Sequence, residues 1–211
     1  MKDKKVVVTV SREYGSGGRE IGAKIAKELQ LPFYDKELIS QAAKESGIDE
    51  KILTDADENK SNGFWYTLAM SAYSFEDSVN SLTELPVSDQ LFLTQSQVIE
   101  EIATKGSCVI VGRCSDYVLN DNDDIDYLIN VFIYANEKAR VQRIALTENV
   151  SEEKAKKMIH KIDKRRASYY NYYTNQKWGE KQNFDLCIDS SRLSTDEVKD
   201  VIITYINKLV K

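Results

Sequence analysis

Four small residues in a row, Gly15, Ser16, Gly17 and Gly18, form a turn between two regular stretches of the sequence. An apolar, β-branched strand pattern precedes them, and an apolar pattern of helical spacing follows. A strand–turn–helix of this kind gathers backbone N–H groups and the positive end of a helix dipole around one point, where an anion binds well. The turn therefore predicts a nucleotide phosphate site, and the alternative is a tight turn whose glycines only permit positive φ.

The turn departs from both standard nucleotide-binding motifs. The pattern G-x-x-x-x-G-K-[ST] places a lysine on the terminal phosphates and a hydroxyl on Mg²⁺, whereas Gly17 is followed here by Gly18, Arg19 and Glu20. The dinucleotide pattern G-x-G-x-x-G, started at Gly15, requires glycine where Glu20 stands. The strict form of each motif is absent.

Two further charged residues follow strand-like segments, Asp35 after L-P-F-Y and Arg113 after C-V-I-V-G. The carboxyl ends of parallel strands open onto the ligand crevice of such folds, so both side chains are candidates for the pocket of the glycine turn. Asp35 also fits the N-cap of a helix that starts at Lys36. Arg113 either binds a phosphate bidentately or forms an ion pair with Asp116 or with an acid of residues 121–126.

A helical pattern rich in lysine begins after Ser151 and ends in Arg165, Arg166 and a run of tyrosines. Guanidinium groups and aromatic rings in this segment can stack on a base or pack against each other. On the preceding helix, Arg140 and Arg143 are explained equally well by a solvated face and by a ligand.

Length and composition limit the class of protein. A chain of 211 residues with a net charge of −5 is long enough for one sizeable core and too acidic for a general nucleic-acid binder. No run approaches the roughly 18 apolar residues of a membrane span, and we expect a cytoplasmic protein. Cys108, Cys114 and Cys187 contain no C-x-x-C pair, which predicts buried, reduced thiols. The one histidine, His160, is interpreted as an ordinary helix residue.

The alternation of strand and helix patterns predicts one α/β domain over residues 1–211. A helical insertion at about residues 49–86 is expected to pack over the acceptor side of the pocket or to form a dimer contact, with plain core packing as the alternative. A mobile lid is expected at about residues 151–180. A capping box of Ser194 and Glu197 predicts the start of the last helix.

Five segments together resemble the cytidylate kinase-like proteins, relatives of bacterial cytidylate kinase within the P-loop nucleoside monophosphate kinases. They read VTVSREYGSGG, LPFYDKELI, VIVGR, RRASYYNYYTNQKWG and FDLCIDSSRLSTDEV. The resemblance implies a three-layer P-loop kinase-like fold, in which a central parallel sheet of about five strands is flanked by helices and carries a helical lid. It also implies ATP and Mg²⁺ as cofactors, a small-molecule acceptor, and a homodimer as one possible assembly.

On the donor side, the resemblance implies that the backbone of residues 15–18 holds the β-phosphate of ATP. Arg19, or Arg12 reaching from the strand end, would then do part of the work of the missing lysine. The sequence does not decide whether Ser16 or Glu20 would be the metal ligand.

On the acceptor side, the resemblance implies that Arg113 holds the acceptor phosphate with Asp35 nearby, and that Arg165 and Arg166 close over the transferring group. Cytidylate kinases carry an aspartate where this chain has Cys114. The predicted function is ATP-dependent phosphoryl transfer to a nucleoside monophosphate, such as CMP or dCMP, or to another small acceptor. Because the lysine and the Ser/Thr of the motif are missing, the alternative is a nucleotide-binding regulator without catalysis.

Overall fold

The computed structural model describes residues 4–36, 38–39 and 86–210. The helical insertion predicted at residues 49–86 lies outside the described residues, apart from Pro86. The described elements are, in chain order, β1 (Val6–Arg12), α1 (Gly18–Leu29), β2 (Phe33–Tyr34), α2 (Val87–Lys105), β3 (Cys108–Val111), α3 (Ser115–Val118), β4 (Tyr127–Tyr134), α4 (Glu137–Thr147), α5 (Glu152–Thr174), a 3₁₀ turn (Lys181–Asn183), β5 (Leu186–Asp189) and α6 (Thr195–Leu209).

The strands form one five-stranded sheet in the order β2-β3-β1-β4-β5, and every pairing is parallel. This confirms the predicted central sheet with flanking helices. The central strands are continuous apolar runs because both of their faces are buried. The chain leaves β1 through α1 towards β2, and leaves β4 through α4 and α5 towards β5. These exits diverge, so the crevice of the fold opens at the carboxyl ends of β1 and β4.

Among the described residues, two apolar clusters hold α1, α4, α5 and α6. The larger one joins the sheet to α1 and α6, with Ile21, Ile25, Ile202 and Ile206 fully buried. A smaller one joins α4 to α5, and Tyr14 of the glycine turn packs against it. The turn is therefore supported by α4 and α5 as well as by the two elements that it connects.

The helix ends follow local sequence signals. The capping box of Ser194 and Glu197 is present at the start of α6, as predicted. Ser151 caps α5 by accepting a hydrogen bond from the Lys154 N–H. Because α5 covers most of residues 151–180, it is the element to which the lid prediction refers. Its movement stays a prediction.

The cysteine prediction holds for two residues of three. Cys108 and Cys114 are buried, whereas Cys187 is exposed, so the prediction of a buried thiol is wrong there. Cys187 belongs to β5 at the edge of the sheet, where half-buried and exposed residues alternate as successive side chains turn to opposite faces.

The contacts between residues divide the chain into two compact units, residues 1–36 with 99–211, and residues 37–98. The whole sheet lies in the first unit, together with all residues of the candidate site described below. The described part of the second unit consists of residues 38–39 and 86–98. None of the helices in the described ranges is long and apolar enough to cross a membrane.

Candidate functional site

The glycine turn lies between β1 and α1, at the crevice end of the sheet. Gly15 and Gly17 have φ values of 82° and 84°, and Gly17 is the N-cap of α1. A Cβ on Gly15 would lie 3.0 Å from Ile144 Cγ1 and 3.1 Å from the Arg140 carbonyl oxygen. Both the positive φ and this close approach require glycine. The first N–H groups of α1 point out of the helix at this turn, as an anion requires.

Side chains from three later segments donate hydrogen bonds to carbonyl oxygens of the turn and of the end of β1. The donor and acceptor pairs are Arg166 to Arg12 at 3.0 Å, Arg143 to Gly15, and Ser190 to Ser16 at 2.7 Å. A carbonyl oxygen repels an anion, and these donors draw that negative charge into protein hydrogen bonds. The carbonyl oxygens near the turn are therefore occupied by protein hydrogen-bond donors and repel a bound anion less.

A partly buried ion-pair network connects α5 to the same turn. The Tyr14 N–H donates to Asp163 Oδ1 at 2.7 Å, and Arg140 Nη1 donates to Asp163 Oδ2. Arg140 Nε lies 3.4 Å from Glu13 Oε2, which also accepts from the Ala135 N–H at 3.0 Å. Burial raises the pKa of Glu13, and the charge of Arg140 opposes that rise. The side chain of Asp163 thus links the long helix directly to the turn.

Arg140 and Arg143 are the residues whose role the sequence left undecided. Arg140 is only 9% exposed, so the solvated-face interpretation is wrong for it. Arg143 donates to the Gly15 carbonyl oxygen, and it also lies close to Gly17. Their spacing of three residues on α4 was a usable signal, because it places both on the helix face towards the turn. Asp163 and Ser190 carried no comparable signal.

The two arginines proposed to replace the lysine have different surroundings. Arg19 donates to Asp35 Oδ2 through Nε at 2.9 Å and Nη2 at 2.5 Å, and its side chain is 67% exposed. Arg12 instead extends from the end of β1 past Gly18 to Gly112, the residue after β3. Arg12 is therefore the residue of the two that spans neighbouring strand ends, and Asp35 serves as the partner of Arg19.

The end of β3 has an unusual backbone. Gly112, Arg113 and Cys114 are three successive residues in the left-handed region, with φ of 82°, 61° and 57°. Such a conformation is costly for residues other than glycine and is concentrated at functional sites. The Arg113 guanidinium lies over the Tyr169 ring, 4.7 Å from its centroid. The strained turn thus directs the side chain of Arg113 towards α5.

The two lid arginines differ in burial. Arg165 is exposed on α5, whereas Arg166 is half-buried, lies over the Tyr14 ring at 5.7 Å and is 4.0 Å from Asp163 Oδ1. Burial lowers the pKa of Arg166, and the nearby carboxylate of Asp163 opposes this. Arg166 therefore lies at the glycine turn, and Arg165 faces solvent.

Asp116 is a buried carboxylate beside the crevice. It accepts hydrogen bonds from Tyr170 Oη at 2.7 Å and from Ser11 Oγ at 3.4 Å. Burial raises the pKa of Asp116, and these hydrogen bonds oppose the rise. A cavity of about 240 Å³ lies beside it, lined by amides such as Asn130 and Asn183. Within the described residues no lysine or arginine lines this cavity, so it is unsuited to a phosphate.

The two candidate metal oxygens already have protein partners. Ser16 is fully buried, and its hydroxyl donates to the Glu13 carbonyl oxygen at 2.9 Å. Glu20 accepts from Thr195 Oγ1 at 2.7 Å and lies 3.1 Å from Lys24 Nζ, contacts that lower its pKa. Across the described ranges, no group of three or more His, Cys, Asp and Glu side chains is placed to hold a metal. The turn fits the phosphates of a nucleotide better than it fits a separate protein-bound metal.

The parallel sheet, the glycine turn at its crevice and the helix that follows define a P-loop kinase-like protein. The chain belongs to the cytidylate kinase-like family, whose model matches residues 7–192. No curated protein matches it by sequence.

Two solved structures with TM-scores above 0.5 share the fold, and a third, more distant structure is similar to this chain below that value. An uncharacterized protein from Eubacterium ventriosum ATCC 27560 is 28% identical, with a TM-score of 0.71 over 96% of this chain and 99% of that chain. TT1252 from Thermus thermophilus is 12% identical, with a TM-score of 0.52 over 99% of this chain and 100% of that chain. A shikimate kinase from Bacteroides thetaiotaomicron is 13% identical, with a TM-score of 0.48 over 97% and 98% of the two chains.

Proposed function

We propose that the protein is an ATP-dependent phosphotransferase that acts on a small acceptor, with a nucleoside monophosphate such as CMP or dCMP as the leading class. One observation carries the proposal. In the glycine turn at the end of β1, the carbonyl oxygens of Gly15 and Ser16 accept hydrogen bonds from Arg143 and Ser190, the carbonyl oxygen of Arg12 before the turn accepts from Arg166, and the turn ends in the N-cap of α1. Such a turn holds the phosphates of a nucleotide.

The surrounding residues suit the demands of phosphoryl transfer. This reaction requires mainly positioning and positive charge around the migrating group. Arg166 lies at the turn, and Arg113 and Arg12 lie at the neighbouring end of β3. In the proposed reaction the turn binds the phosphates of ATP, Arg113 binds the phosphate of the acceptor, and Arg12 and Arg166 stabilise the transferring group.

Arg165 and the pair of Arg19 with Asp35 have secondary roles in the proposal. Arg165 is exposed on α5, from where it contacts the nucleotide when α5 closes as a lid. Asp35 holds Arg19 beside the first turn of α1. Mg²⁺ would be held by the phosphates and by water, since Mg²⁺ commonly keeps several of its waters.

Sequence similarity supports the identity of the acceptor less than it supports the rest of the proposal. At the residue after Arg113, the resembled cytidylate kinases have an aspartate, and this chain has Cys114, which is buried. A buried thiol is a weak hydrogen-bond donor and does not replace a carboxylate in binding a nucleoside. The acceptor panel must therefore extend beyond cytidine nucleotides.

The direct test is ADP formation from Mg²⁺-ATP in the presence of single acceptors. The panel contains CMP, dCMP, the other common nucleoside monophosphates and small alcohols. We expect one acceptor to raise ADP formation well above the rate with ATP alone. If no member of the panel does so, the kinase proposal fails for these acceptor classes. Lys157→Ala is a matched surface control, because Lys157 pairs with Glu153 on the exposed side of α5.

A second candidate is a nucleotide-binding regulator that transfers no phosphate. The buried Ser16 hydroxyl favours it, because that hydroxyl is bonded to Glu13 and the usual Mg²⁺-binding hydroxyl is missing. Calorimetry with ATP separates the two candidates. Tight binding without turnover on any acceptor supports the regulator, and acceptor-dependent turnover excludes it.

A further inference from the structure

The helix start fixes how the P-loop pattern aligns with this chain. Gly17 is the N-cap of α1, with a φ of 84°, and corresponds to the second motif glycine directly before the helix. Counted from it, the pattern G-x-x-x-x-G-K places its first glycine at residue 12 and its lysine at residue 18. This chain has the reverse arrangement, with Arg12 at the glycine position and Gly18 at the lysine position.

The two positions cannot both carry side chains. A Cβ on Gly18 would lie 2.5 Å from the Cβ and 2.9 Å from the Cγ of Arg12. The Cβ of Arg12 is fixed by the backbone at the end of β1 and cannot rotate away. A lysine at position 18 therefore requires glycine at position 12, and an arginine at position 12 requires glycine at position 18.

A second glycine makes room for the far end of Arg12. A Cβ on Gly112 would lie 2.1 Å from Arg12 Nη1 and 3.2 Å from its Cζ. The guanidinium therefore lies against the backbone at the carboxyl end of β3, next to Arg113. The backbone of Arg12 is held as well, because its carbonyl oxygen accepts from Arg166 Nη1 at 3.0 Å.

We propose that Arg12 is the phosphate-binding cation of this turn, so that the first glycine and the lysine of the P-loop motif have exchanged places. The inference rests on the proposed function, since its ligand is the phosphate chain of the nucleotide. The positive charge is carried by a side chain at the end of β1, and the planar guanidinium group of Arg12 can bind two phosphate oxygens at once. Gly18 is a glycine because the Cβ of Arg12 occupies the space beside it, whereas Gly112 has a positive φ of its own and the Arg12 guanidinium lies against it.

The test is a set of exchanges at positions 12 and 18, read by calorimetry with Mg²⁺-ADP and by the rate of ADP formation. Arg12→Gln keeps the length of the side chain and loses its charge, and we expect about 10- to 100-fold weaker ADP binding, in line with loss of a charged hydrogen bond. The double variant Arg12→Gly with Gly18→Lys restores the first glycine and the lysine of the standard motif and is expected to recover most of the affinity.

The matched control is the double variant Arg12→Ala with Gly18→Lys. Its alanine keeps the Cβ that would lie 2.5 Å from the new side chain, so we expect no recovery of ADP binding. Lys157→Ala is expected to bind as the unchanged protein does. Thermal unfolding of each variant shows whether the fold is retained, and Arg12→Gln remains informative if a double variant does not fold.

The outcomes separate the inference from the proposed function. Unchanged ADP binding by Arg12→Gln overturns the role of Arg12, and equal recovery by both double variants overturns the exchange. If phosphoryl transfer occurs but does not depend on Arg12, the proposed function holds and the role of Arg12 is overturned. If ADP binding depends on Arg12 but no acceptor is phosphorylated, the role of Arg12 holds and the proposed phosphotransferase function is overturned. If the unchanged protein does not bind ADP, both are overturned.

Discussion

The glycine turn after β1 and the strained turn after β3 are built in different ways. At the first turn, backbone groups face the crevice, and distant side chains such as Arg143 and Ser190 bond the carbonyl oxygens. At the second turn, three successive left-handed residues present a side chain, Arg113, against Tyr169. One side of the crevice is a backbone site, and the other is a side-chain site.

This difference determines what each turn can recognise. Backbone N–H groups and a helix dipole respond to negative charge and are available in any sequence that permits the turn. Side chains recognise the shape and the hydrogen bonds of a particular ligand. The donor phosphate is therefore predictable from the glycines, whereas the acceptor depends on individual residues such as Cys114.

The largest expected effect follows from removing the contact of Asp163, on α5, with the residues at the glycine turn. Asp163→Asn keeps an oxygen for the Tyr14 N–H and removes the charge that pairs with buried Arg140. Loss of one partner from a buried ion pair costs about 3–5 kcal/mol, and we expect the lower end here because Asp163 is half-buried and Glu13 stays beside Arg140. We expect a fall of this size in the free energy of unfolding in urea, together with weaker binding of Mg²⁺-ADP.

Glu153→Gln is the control for this variant, because Glu153 lies on the same helix with its side chain 79% exposed. It should change neither quantity. A stable Asp163→Asn variant with unchanged ADP binding would show that the turn does not depend on α5.

The next effect concerns the different ligands expected at the two turns, ATP at the glycine turn and the acceptor at the turn after β3. Arg113→Ala removes the guanidinium from the side-chain site, and a charged hydrogen bond to phosphate is worth about 1.5–3 kcal/mol. We expect the KM of the acceptor to rise by about tenfold or more, while the KM of ATP changes by less than about threefold. Steady-state kinetics with each substrate varied in turn measures both values.

Arg113→Lys should give an intermediate KM for the acceptor, since lysine keeps the charge and loses the fork. An equal loss of ATP and acceptor affinity in Arg113→Ala would contradict the division of the crevice into donor and acceptor sides.

A smaller effect concerns Asp116, the buried carboxylate in the short helix after the second turn. Because burial raises the pKa of Asp116, the folded state holds this proton more tightly than the unfolded chain does. Stability attributable to Asp116 therefore falls as pH rises from the ordinary aspartate range through the raised pKa. Asp116→Asn should exceed the unchanged protein in unfolding free energy by roughly 1 kcal/mol at pH 8, and this gain should disappear near pH 4.

The comparison variant is Asp123→Asn, because Asp123 is exposed between β3 and β4. Urea unfolding at several pH values should show no such pH-dependent gain for it. A gain for Asp116→Asn that does not vary with pH would contradict the assignment of the effect to the proton.

The smallest effect tests which of the three cysteine thiols are buried. Burial raises the pKa of Cys108 to about 12, and Cys114 is buried as well, whereas Cys187 is exposed. A thiol reagent at pH 8 should modify one cysteine in the folded protein and three in urea. In Cys187→Ser the fast reaction should be absent, and its persistence would place another thiol at the surface.

Much of the fold was predictable because its signals are local. The β-branched runs, the glycine turn, the Ser194 capping box and the resemblance of the segments each report on a few neighbouring residues. The contacts that complete the site are not local. Asp163 reaches Tyr14 across 149 residues, and Ser190 reaches Ser16 across 174. The choice between Arg12 and Arg19 likewise depended on Gly112 and on Asp35, which no local pattern links to either arginine.

The most direct test of the account is a crystal structure of the protein with Mg²⁺-ADP. We expect the β-phosphate within hydrogen-bond distance of the N–H groups of residues 15–18, with the Arg12 guanidinium on its oxygens. ADP bound away from the glycine turn, or a β-phosphate in the turn without contact to Arg12, would contradict it.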